Sequence, residues 1–583
     1  MPLLEHEPHK IKTIRPVSFP TLEERKRHLA QAHFNVFNLT PSQVAFDMCS
    51  LGTSAMSQEQ LSGQLIGDEA YAGARNFEHL QDAVHKVLGH SYICPTHNIL
   101  GAVKLVLATM IPGDSIVPSN GRTRMDVVGP MGHDMPDVRD HEAVLFTGNV
   151  DLEALETTLE GGKVSVVGLQ AFADGQHPFS MENLRSVRAL ADRYGKRLVL
   201  DGSRVVENAW FIQKNEPGMS TRSIAELVKE IAKTAHVFML DAAQDPKCPS
   251  GGLLATDNPE DYEHFMNEVV VYEGLHTYGG MSGRTMEVFA RGLDEMCDEH
   301  EVQWVMHQTI RFCDRLRDAG VPVERGCDGA YIYADLFLDH IDAWQQDAFS
   351  AALYEMSGVR ALAQGRVGRD QIVPVQIPRL AMPSRQLDQV ADAIIKLYEQ
   401  RGQVPPLELA HEGNWRDQMA YRWVYADLEN FDFHTYPFVV HTTERIATLS
   451  RGEREKAIRD AGYNTFLLRS ADVTIDLLTD SGTSAMSTNQ WAAYDKAIST
   501  PTTSDAYVHL VEVLRDATGY EHIIPTHQGR AAEQILSEIM IQPGQLVPGN
   551  MYFTTTKLHQ EIAGGVFRDI IVDEAHVPES DCA

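Results

Sequence analysis

Seven cysteines are the residues of this chain whose side chains could form disulfides or bind zinc. They are scattered, and no two form a CxxC pair: Cys49, Cys94, Cys248, Cys297, Cys313, Cys327 and Cys582. An odd number of isolated cysteines indicates reduced thiols in a cytoplasmic protein, and neither a disulfide framework nor a zinc site. Any catalytic chemistry is therefore expected from other side chains.

Ser, Thr and His occur in short strings that recur later in the chain at one constant distance. GTSAMS at 52–57 recurs at 482–487, and PTH at 95–97 recurs at 525–527; VPSN at 117–120 recurs as VPGN. Each second occurrence starts 430 residues after the first. A period of this length is far longer than a solenoid repeat and indicates duplication of a whole subunit.

The repeat predicts two domains of unequal length. A first copy occupies residues 1–430, and a second copy, 431–583, corresponds only to the N-terminal third of the first. A truncated copy would expose the core faces of its strands and helices unless another polypeptide covered them.

Buried strands alternate with amphipathic helices along the first copy. Residues 163–172, 196–203 and 236–243 are near-continuous apolar runs, and 181–195 has apolar residues at helical spacing with a terminal glycine. This alternation predicts an α/β fold with a mostly parallel sheet covered by helices on both faces. Residues 387–401 predict a helix of a smaller C-terminal α/β domain.

Composition and charge favour some classes of partner and disfavour others. Of 583 residues, 43% are hydrophobic and 22% charged, as in a soluble globular protein. No stretch approaches the roughly 20 apolar residues of a membrane span, and the N-terminus lacks a secretory signal. Fifty Lys and Arg stand against 81 Asp and Glu, a net charge of −31. This charge repels nucleic acid and anionic membranes, so neither is expected as a partner.

Long strings in both copies resemble one family. The second copy contains NTFLLRSADVTIDLLTDSGTSAMS, IIPTHQGRAAEQ, VPGNMYFTTTKLHQE and DIIVDEAH. The first contains GDEAYAGARNF, LVLDGSRVVENAWFI, GGLLAT and VVVYEGLHTYGGMSGRTME, in that order. These strings resemble the β-eliminating lyases of the tyrosine phenol-lyase/tryptophanase type. The resemblance implies the fold-type I (aminotransferase-like) architecture and a pyridoxal 5′-phosphate cofactor that supports cleavage of the Cβ–Cγ bond of aromatic amino acids.

The first copy departs from the family pattern at most cofactor positions. Gln244 stands where the family has its Schiff-base lysine, and a glutamine cannot form an imine. The other departures are Asn98-Ile99-Leu100 for the phosphate-binding QGR, Thr123 for the ring-stacking Phe, Phe172 for an Asn and Pro374 for the carboxylate-binding Arg. Asp201, the partner of the pyridinium nitrogen, and Arg204 remain. Lys247 is displaced from the lysine position by three residues and is not expected to replace it.

The second copy keeps what the first has lost. The resemblance assigns the cofactor phosphate to Gln528, Gly529 and Arg530, where backbone N–H groups and a guanidinium suit a dianion. Phe553 matches the aromatic that stacks on the cofactor ring. Three further residues are assigned to the substrate: Thr479 and Ser481 to its carboxylate, and Thr554 to the phenol hydroxyl.

The catalytic tyrosine shows the opposite distribution between the copies. The second copy has Pro501 at its position, whereas the first retains it as Tyr71. In the family this tyrosine serves the cofactor of the neighbouring subunit, so Tyr71 is expected to serve the site on the second copy. Glu69 resembles the carboxylate that crosses to a monovalent cation, such as K+, held partly by the carbonyl of Gly482. Leu275 resembles another residue contributed across the interface.

A composite site of this kind still lacks its lysine, its pyridinium-binding Asp and its carboxylate-binding Arg. We expect a second polypeptide to supply them as the remaining C-terminal two-thirds of the lyase, in a heterotetramer that is inactive without that partner. Two alternatives remain open: a catalytically inert scaffold or regulatory subunit, and a lyase that performs β-replacement or carbon–sulfur cleavage in a biosynthetic pathway.

Overall fold

The computed structural model describes residues 7–577 except 49–53, 69–73, 123, 126–132, 276, 278, 362–371, 414–415, 427, 447, 479–483, 499–504 and 527–528, and except the side chains of residues 416, 495–498 and 505–506. The chain divides into two compact units, Met1–Trp491 and Ala492–Ala583. Among the described residues, no helix has both the length and the apolar composition of a bilayer-spanning segment.

The described strands are β1 (His9–Pro16), β2 (Phe46–Asp47), β3 (Met56–Ser57), β4 (Tyr92–Thr96), β5 (Val166–Gln170), β6 (Arg197–Asp201), β7 (Val237–Asp241), β8 (Gly252–Thr256), β9 (Val323–Arg325), β10 (Gly329–Tyr333), β11 (Val359–Arg360), β12 (Ile372–Gln376), β13 (Glu408–His411), β14 (Ala420–Arg422), β15 (Phe438–Arg445), β16 (Met486–Ser487), β17 (Leu546–Gly549) and β18 (Val566–Asp569).

The described α-helices are α1 (Leu22–Gln31), α2 (Gln58–Ile66), α3 (Arg75–Val87), α4 (Ile99–Met110), α5 (Leu152–Glu160), α6 (Met181–Arg193), α7 (Val205–Asn215), α8 (Ile224–Thr234), α9 (Pro259–Tyr272), α10 (Gly283–Glu295), α11 (Glu299–Asp318), α12 (Ala334–Phe337), α13 (Gln345–Ser357), α14 (Ser384–Glu399), α15 (Arg451–Asp460), α16 (Thr488–Ile498), α17 (Asp505–Thr518), α18 (Gly529–Met540) and α19 (Thr554–Ile562).

The central sheet of the first unit has five strands in the order β4-β8-β7-β6-β5. β5, β6 and β7 are parallel, whereas β8 runs antiparallel to both of its neighbours. The strands predicted at 163–172, 196–203 and 236–243 are confirmed as β5, β6 and β7. The mostly parallel α/β fold of the fold-type I class is confirmed with them.

Side chains of these strands alternate between two buried layers. Val166, Val199 and Val237 pack with residues of α4 and α9 on one face. Leu198, Leu200 and Phe238 pack on the other face with α6 and α8, where α6 confirms the helix predicted at 181–195. Because both faces are covered by helices, every strand needs apolar residues at successive positions, which explains the continuous apolar runs.

A smaller α/β domain follows the central sheet. β9, β10 and β12 form an antiparallel sheet, with Tyr331 opposite Pro374. Its core is shared with α11, α13 and α14, and α14 confirms the helix predicted at 387–401. Pro374, predicted as the replacement of a carboxylate-binding Arg, therefore lies within a paired strand of this domain.

A four-stranded sheet, β16-β1-β15-β3, joins segments that are far apart in the chain. β1 pairs antiparallel with β15, and His9 lies opposite Arg445 while Pro16 lies opposite Phe438. The outer strands repeat the same relation: Thr13 pairs with Met486 of β16, and Thr442 pairs with Met56 of β3.

This sheet has local twofold symmetry. Thr13 and Thr442 lie opposite each other and are separated by 429 residues, and the outer partners Met56 and Met486 are separated by 430. Each N-terminal strand therefore pairs with the other N-terminal strand and with the short strand that ends the other copy's GTSAMS string. Reciprocal contacts of this kind are typical of an isologous interface between two subunits.

The division into compact units falls at 491/492 and not at the predicted copy boundary, 430/431. The reason is the sheet above, because β15 and β16 pack with the first unit although they belong to the predicted second copy. The boundary of the copies was derived from repeated strings and not from packing, and it stays a prediction.

The second unit contains α17, α18, α19 and a parallel pair of strands, β17 and β18. Leu546 pairs with Val566, and Gly549 with Asp569. α18 packs against α19, and α19 packs against β18. Many large apolar side chains of this unit are exposed, including Ile535, Leu536 and Ile539 on α18.

Candidate active site

The predicted site residues are only partly among the described residues. Six of them lie outside: Glu69, Tyr71, Thr479, Ser481, Gly482 and Gln528. The five described ones are Gly529, Arg530, Phe553 and Thr554 in the second unit and Leu275 in the first. Among the described residues, no group of three or more His, Cys, Asp or Glu is arranged to hold a metal ion.

The described cofactor residues of the second unit lie at two helix starts. α18 begins at Gly529 and Arg530, and Phe553 is the N-cap residue of α19, which begins at Thr554. A free helix N-terminus presents backbone N–H groups and partial positive charge to an anion. Both helix starts therefore carry the residues that the sequence assigns to the cofactor and substrate.

Glu533 fixes these two helix starts to each other. Its carboxylate, on the first turn and a half of α18, accepts hydrogen bonds from Thr555 Oγ1 at 2.7 Å and from Thr556 Oγ1 on the first turn of α19. These hydrogen bonds lower the pKa of Glu533, so it stays an acceptor at neutral pH. The sequence interpretation missed Glu533, although its place one turn after QGR was visible.

The α18 start suits the phosphate of the expected cofactor. Gly529 is open, since a Cβ added to it would meet no atom within 4 Å, and Arg530 is exposed. A guanidinium beside a helix N-terminus is a suitable donor set for a phosphate dianion. The described residues of this helix start thus fit the phosphate end of the cofactor, and the stacking role of Phe553 stays a prediction.

The corresponding pocket of the first unit is filled by Arg124. Its guanidinium donates to Asp201 Oδ2 at 2.7 Å and to Ser203 Oγ at 2.8 Å, and it lies 3.3 Å from Asp241 Oδ2. Asp201 ends β6 and Asp241 ends β7, so both carboxylates lie at the same edge of the sheet. Asp201, expected to be the partner of a pyridinium nitrogen, has a guanidinium as its cation instead.

The helix start that corresponds to the phosphate site is occupied as well. Asn98 caps α4 by accepting from the N–H of Gly101 at 3.0 Å. The Glu273 carboxylate lies against the same turn: it accepts from the N–H of His97 at 2.9 Å, and it would clash with a Cβ at Gly101. A dianionic phosphate does not fit beside this carboxylate, because like charges repel.

Lys247 is engaged elsewhere. Its side chain is 1% exposed, and Nζ donates to both Glu301 oxygens at 2.6 Å. A lysine held in a buried ion pair is not available to form an imine. Gln244, three residues earlier, is itself buried, and the replacement of the Schiff-base lysine in this copy stays a prediction.

Leu275 lies in the turn that follows α9. Its carbonyl accepts from the N–H of Gly279 at 2.7 Å, and its side chain is half-buried. This turn begins two residues after Glu273 and is held close to β4, since a Cβ at Gly279 would clash with the carbonyl of Pro95. The role of Leu275 at a neighbouring site stays a prediction.

Comparison with known proteins gives one consistent result. A family model described as β-eliminating lyase matches residues 44–390 and then matches again at 476–581. Tyrosine phenol-lyase of Pasteurella multocida is 34% identical over 442 residues, covering 70% of this chain and 95% of that protein. Tyrosine phenol-lyase of Nostoc punctiforme is 35% identical over 443 residues, covering 70% and 94%. Tryptophanase of Hyphomonas neptunium is 34% identical over 418 residues, covering 67% and 92%.

Proposed function

The chain belongs to the β-eliminating lyase family, and from this premise we propose that it is one subunit of a split pyridoxal-phosphate-dependent lyase. Its active site is built on the second copy, receives Tyr71 from the first copy, and is completed by a partner chain that carries the lysine. The substrate is an aromatic, tyrosine-like amino acid that undergoes β-elimination. The observation that carries this proposal is the exposed apolar face of the second unit.

Equivalent positions of the two copies differ sharply in exposure. Val106 on α4 is fully buried, whereas its counterpart Leu536 on α18 is 63% exposed. Cys94 in β4 is 1% exposed, and its counterpart Ile524 is 78% exposed. A stable water-exposed surface rarely contains so many neighbouring large apolar residues, and such patches mark protein interaction sites.

The first copy shows what covers this face. There, β8 pairs with β4, α9 packs on α4, and Ser119 bridges to Gly168 of β5. The second unit has counterparts of the two outer segments, 522–526 and β17, and among its described residues nothing corresponds to the central strands β5–β8. The expected partner therefore inserts four strands between these segments and covers α18 with a helix that resembles α9.

The local twofold sheet supports the proposed role of the first copy towards the second. β1 and β3 belong to the first copy, and β15 and β16 belong to the second. Their reciprocal pairing is the arrangement expected if the two copies associate as the two subunits of a dimer. A tyrosine that serves the neighbouring subunit in such a dimer would, in this chain, serve the other copy.

Each residue that this chain contributes to the proposed site has a defined role. Gly529, Arg530 and Gln528 bind the phosphate, and Phe553 covers one face of the ring. When bound, the cofactor withdraws electrons from the substrate α-carbon. Tyr71 supplies a proton to the aromatic ring carbon that leaves, which is general acid catalysis. The remaining assignments are substrate contacts by Thr479, Ser481, Thr554 and Leu275, and a K+ site that uses Glu69 and the carbonyl of Gly482.

The position of the covalently attached cofactor tests the proposal. The two-chain complex is prepared with pyridoxal phosphate, reduced with borohydride and digested, and labelled peptides are identified by mass spectrometry. We expect one stoichiometric label, on a lysine of the partner. A stoichiometric label on Lys247 or on any other lysine of this chain would contradict the split site. The expected assembly contains two copies of each chain, which mass photometry measures.

Arg530→Ala is expected to raise the dissociation constant of pyridoxal phosphate from the complex about 10- to 100-fold. The reason is the loss of a charge-assisted hydrogen bond to the phosphate, worth about 1.5–3 kcal/mol. Equilibrium dialysis of the complex measures the effect. Arg454→Ala, which removes an exposed arginine of α15, is the control and should leave the constant unchanged. An unchanged constant for Arg530→Ala would remove the phosphate assignment.

A further inference from the structure

We infer that the pocket of the first copy has become an ion-pair site in which Arg124 serves as an internal cation in place of a cofactor. The residues present there do not fit pyridoxal phosphate. This inference concerns only the first unit and depends neither on a partner chain nor on any activity.

Arg124 lies at a position that the second copy assigns to the active site. Arg124 lies 430 residues before Thr554, so it occupies the position that follows the ring-stacking aromatic in the second copy. The aromatic itself is replaced by Thr123. The side chain gained at this position is a planar cation, and it reaches the carboxylate that the first copy has kept, Asp201.

Arg124 is the cation that both carboxylates of this site contact. Asp201 and Asp241 are both buried, at 6% and 4% exposure, and both carboxylates contact the one guanidinium. Burial raises the pKa of Asp241. Without Arg124 these two buried carboxylates would lose the guanidinium that they share, which would be strongly unfavourable. Arg204 also acts on Asp241, but it is itself paired with Asp328.

The segment that carries Arg124 is fixed on both sides. Met125 is 2% exposed and packs against Gly168 of β5, where an added Cβ would clash with its methyl group. On the other side, the N–H of Arg122 donates to Asp174 Oδ1 at 3.0 Å, and Arg139 lies 3.3 Å from the second oxygen of the same carboxylate. The described neighbours Arg122 and Met125 therefore anchor this segment to the first unit on both sides of Arg124.

The part of the pocket that corresponds to the phosphate site has also lost its fit to the cofactor. The carboxylate of Glu273, which follows α9, lies against the first turn of α4. Leu100 stands where the second copy has Arg530. The pocket thus presents one carboxylate where a phosphate would bind and a guanidinium where a pyridinium would bind. The groups that would contact a cofactor are satisfied by side chains of the chain itself.

A double-mutant cycle on the full-length chain tests this inference, with the thermal midpoint as the readout. Arg124→Ala should lower the midpoint by several degrees. In the native background, Asp241→Asn should lower the midpoint because Arg124 loses a partner. In the Arg124→Ala background, the same substitution should raise the midpoint because it removes a buried negative charge that has lost its guanidinium. Arg193→Ala, which removes an exposed arginine paired with Glu156, is the control and should have little effect.

Methylguanidinium chloride is the chemical probe for the vacated position. At millimolar concentration it should raise the midpoint of Arg124→Ala and leave those of the native chain and Arg193→Ala unchanged. If Asp241→Asn shifts the midpoint in the same direction in both backgrounds, Arg124 is not the cation that stabilises Asp241. If Arg124→Ala does not fold, the double variant decides, and its failure to fold as well would overturn the inference.

Discussion

Tyr71→Phe is expected to reduce the turnover of the two-chain complex by roughly 10²- to 10⁴-fold, the range typical of removing a general acid. The substitution keeps the ring and deletes only the hydroxyl, so binding of the cofactor and assembly of the chains should persist. Pyruvate release from an aromatic amino acid measures the turnover. Because a proton must reach the ring carbon before the bond breaks, the loss should appear in kcat more than in KM.

Tyr194→Phe is the matched control for this experiment. It also deletes one phenol hydroxyl, in this case one that donates to Glu156 on the helical surface of the first unit, and should leave turnover unchanged. An inert scaffold that only binds a true lyase predicts a different result: in that case Tyr71→Phe has no more effect than Tyr194→Phe. This single comparison therefore separates the catalytic subunit from the scaffold.

The strands and helices of the first copy could be predicted because their patterns are local. β5, β6 and β7 are continuous apolar runs, and α6 has helical spacing with a glycine after its end. The pairing of β1 with β15 could not be predicted in this way, since neither strand is a continuous apolar run and their partners are more than 400 residues away. Such pairing depends on contacts between the two copies. Because β15 and β16 pair with strands of the first copy, the first compact unit extends to Trp491.

The site shows the same difference between local and distant information. The loss of the lysine at Gln244 is readable from one position. That Arg124 fills the pocket could not be read from local pattern, because its carboxylate partners are 77 and 117 residues away. One signal was available: the repeat aligns Arg124 with Thr554, so a cation was gained beside a pocket that had kept Asp201.

The pocket of the first copy and the helix start at Gly529 in the second differ in a way that charge neutralisation explains. A cofactor pocket that loses its ligand is left with buried charges, and the fold is stable only if other groups neutralise them. In the first copy, Arg124 and Glu273 provide this neutralisation. In the second unit, a Cβ added at Gly529 would meet no atom within 4 Å, which agrees with the phosphate site that we propose there.

Leu536→Asp is expected to weaken the association of this chain with its partner by more than roughly 100-fold, while leaving the chain itself folded. The side chain is 63% exposed, so a carboxylate is tolerated in the isolated chain. Its counterpart Val106 is fully buried in the first copy, so the same position should be buried when the partner covers α18. Burying an uncompensated charge there costs at least about 3 kcal/mol. Isothermal titration calorimetry with the purified partner measures the change.

Leu467→Asp is the control that isolates the effect of position from that of an added charge. Leu467 is 66% exposed. Its counterpart in the first copy is Asn38, which ends the equivalent turn 429 residues earlier and is exposed too. The same substitution should therefore leave the affinity unchanged. Equal losses for both variants would mean that added negative charge alone weakens binding. No loss for either would show that the partner does not cover α18, and the apolar face of the second unit would then need a different occupant.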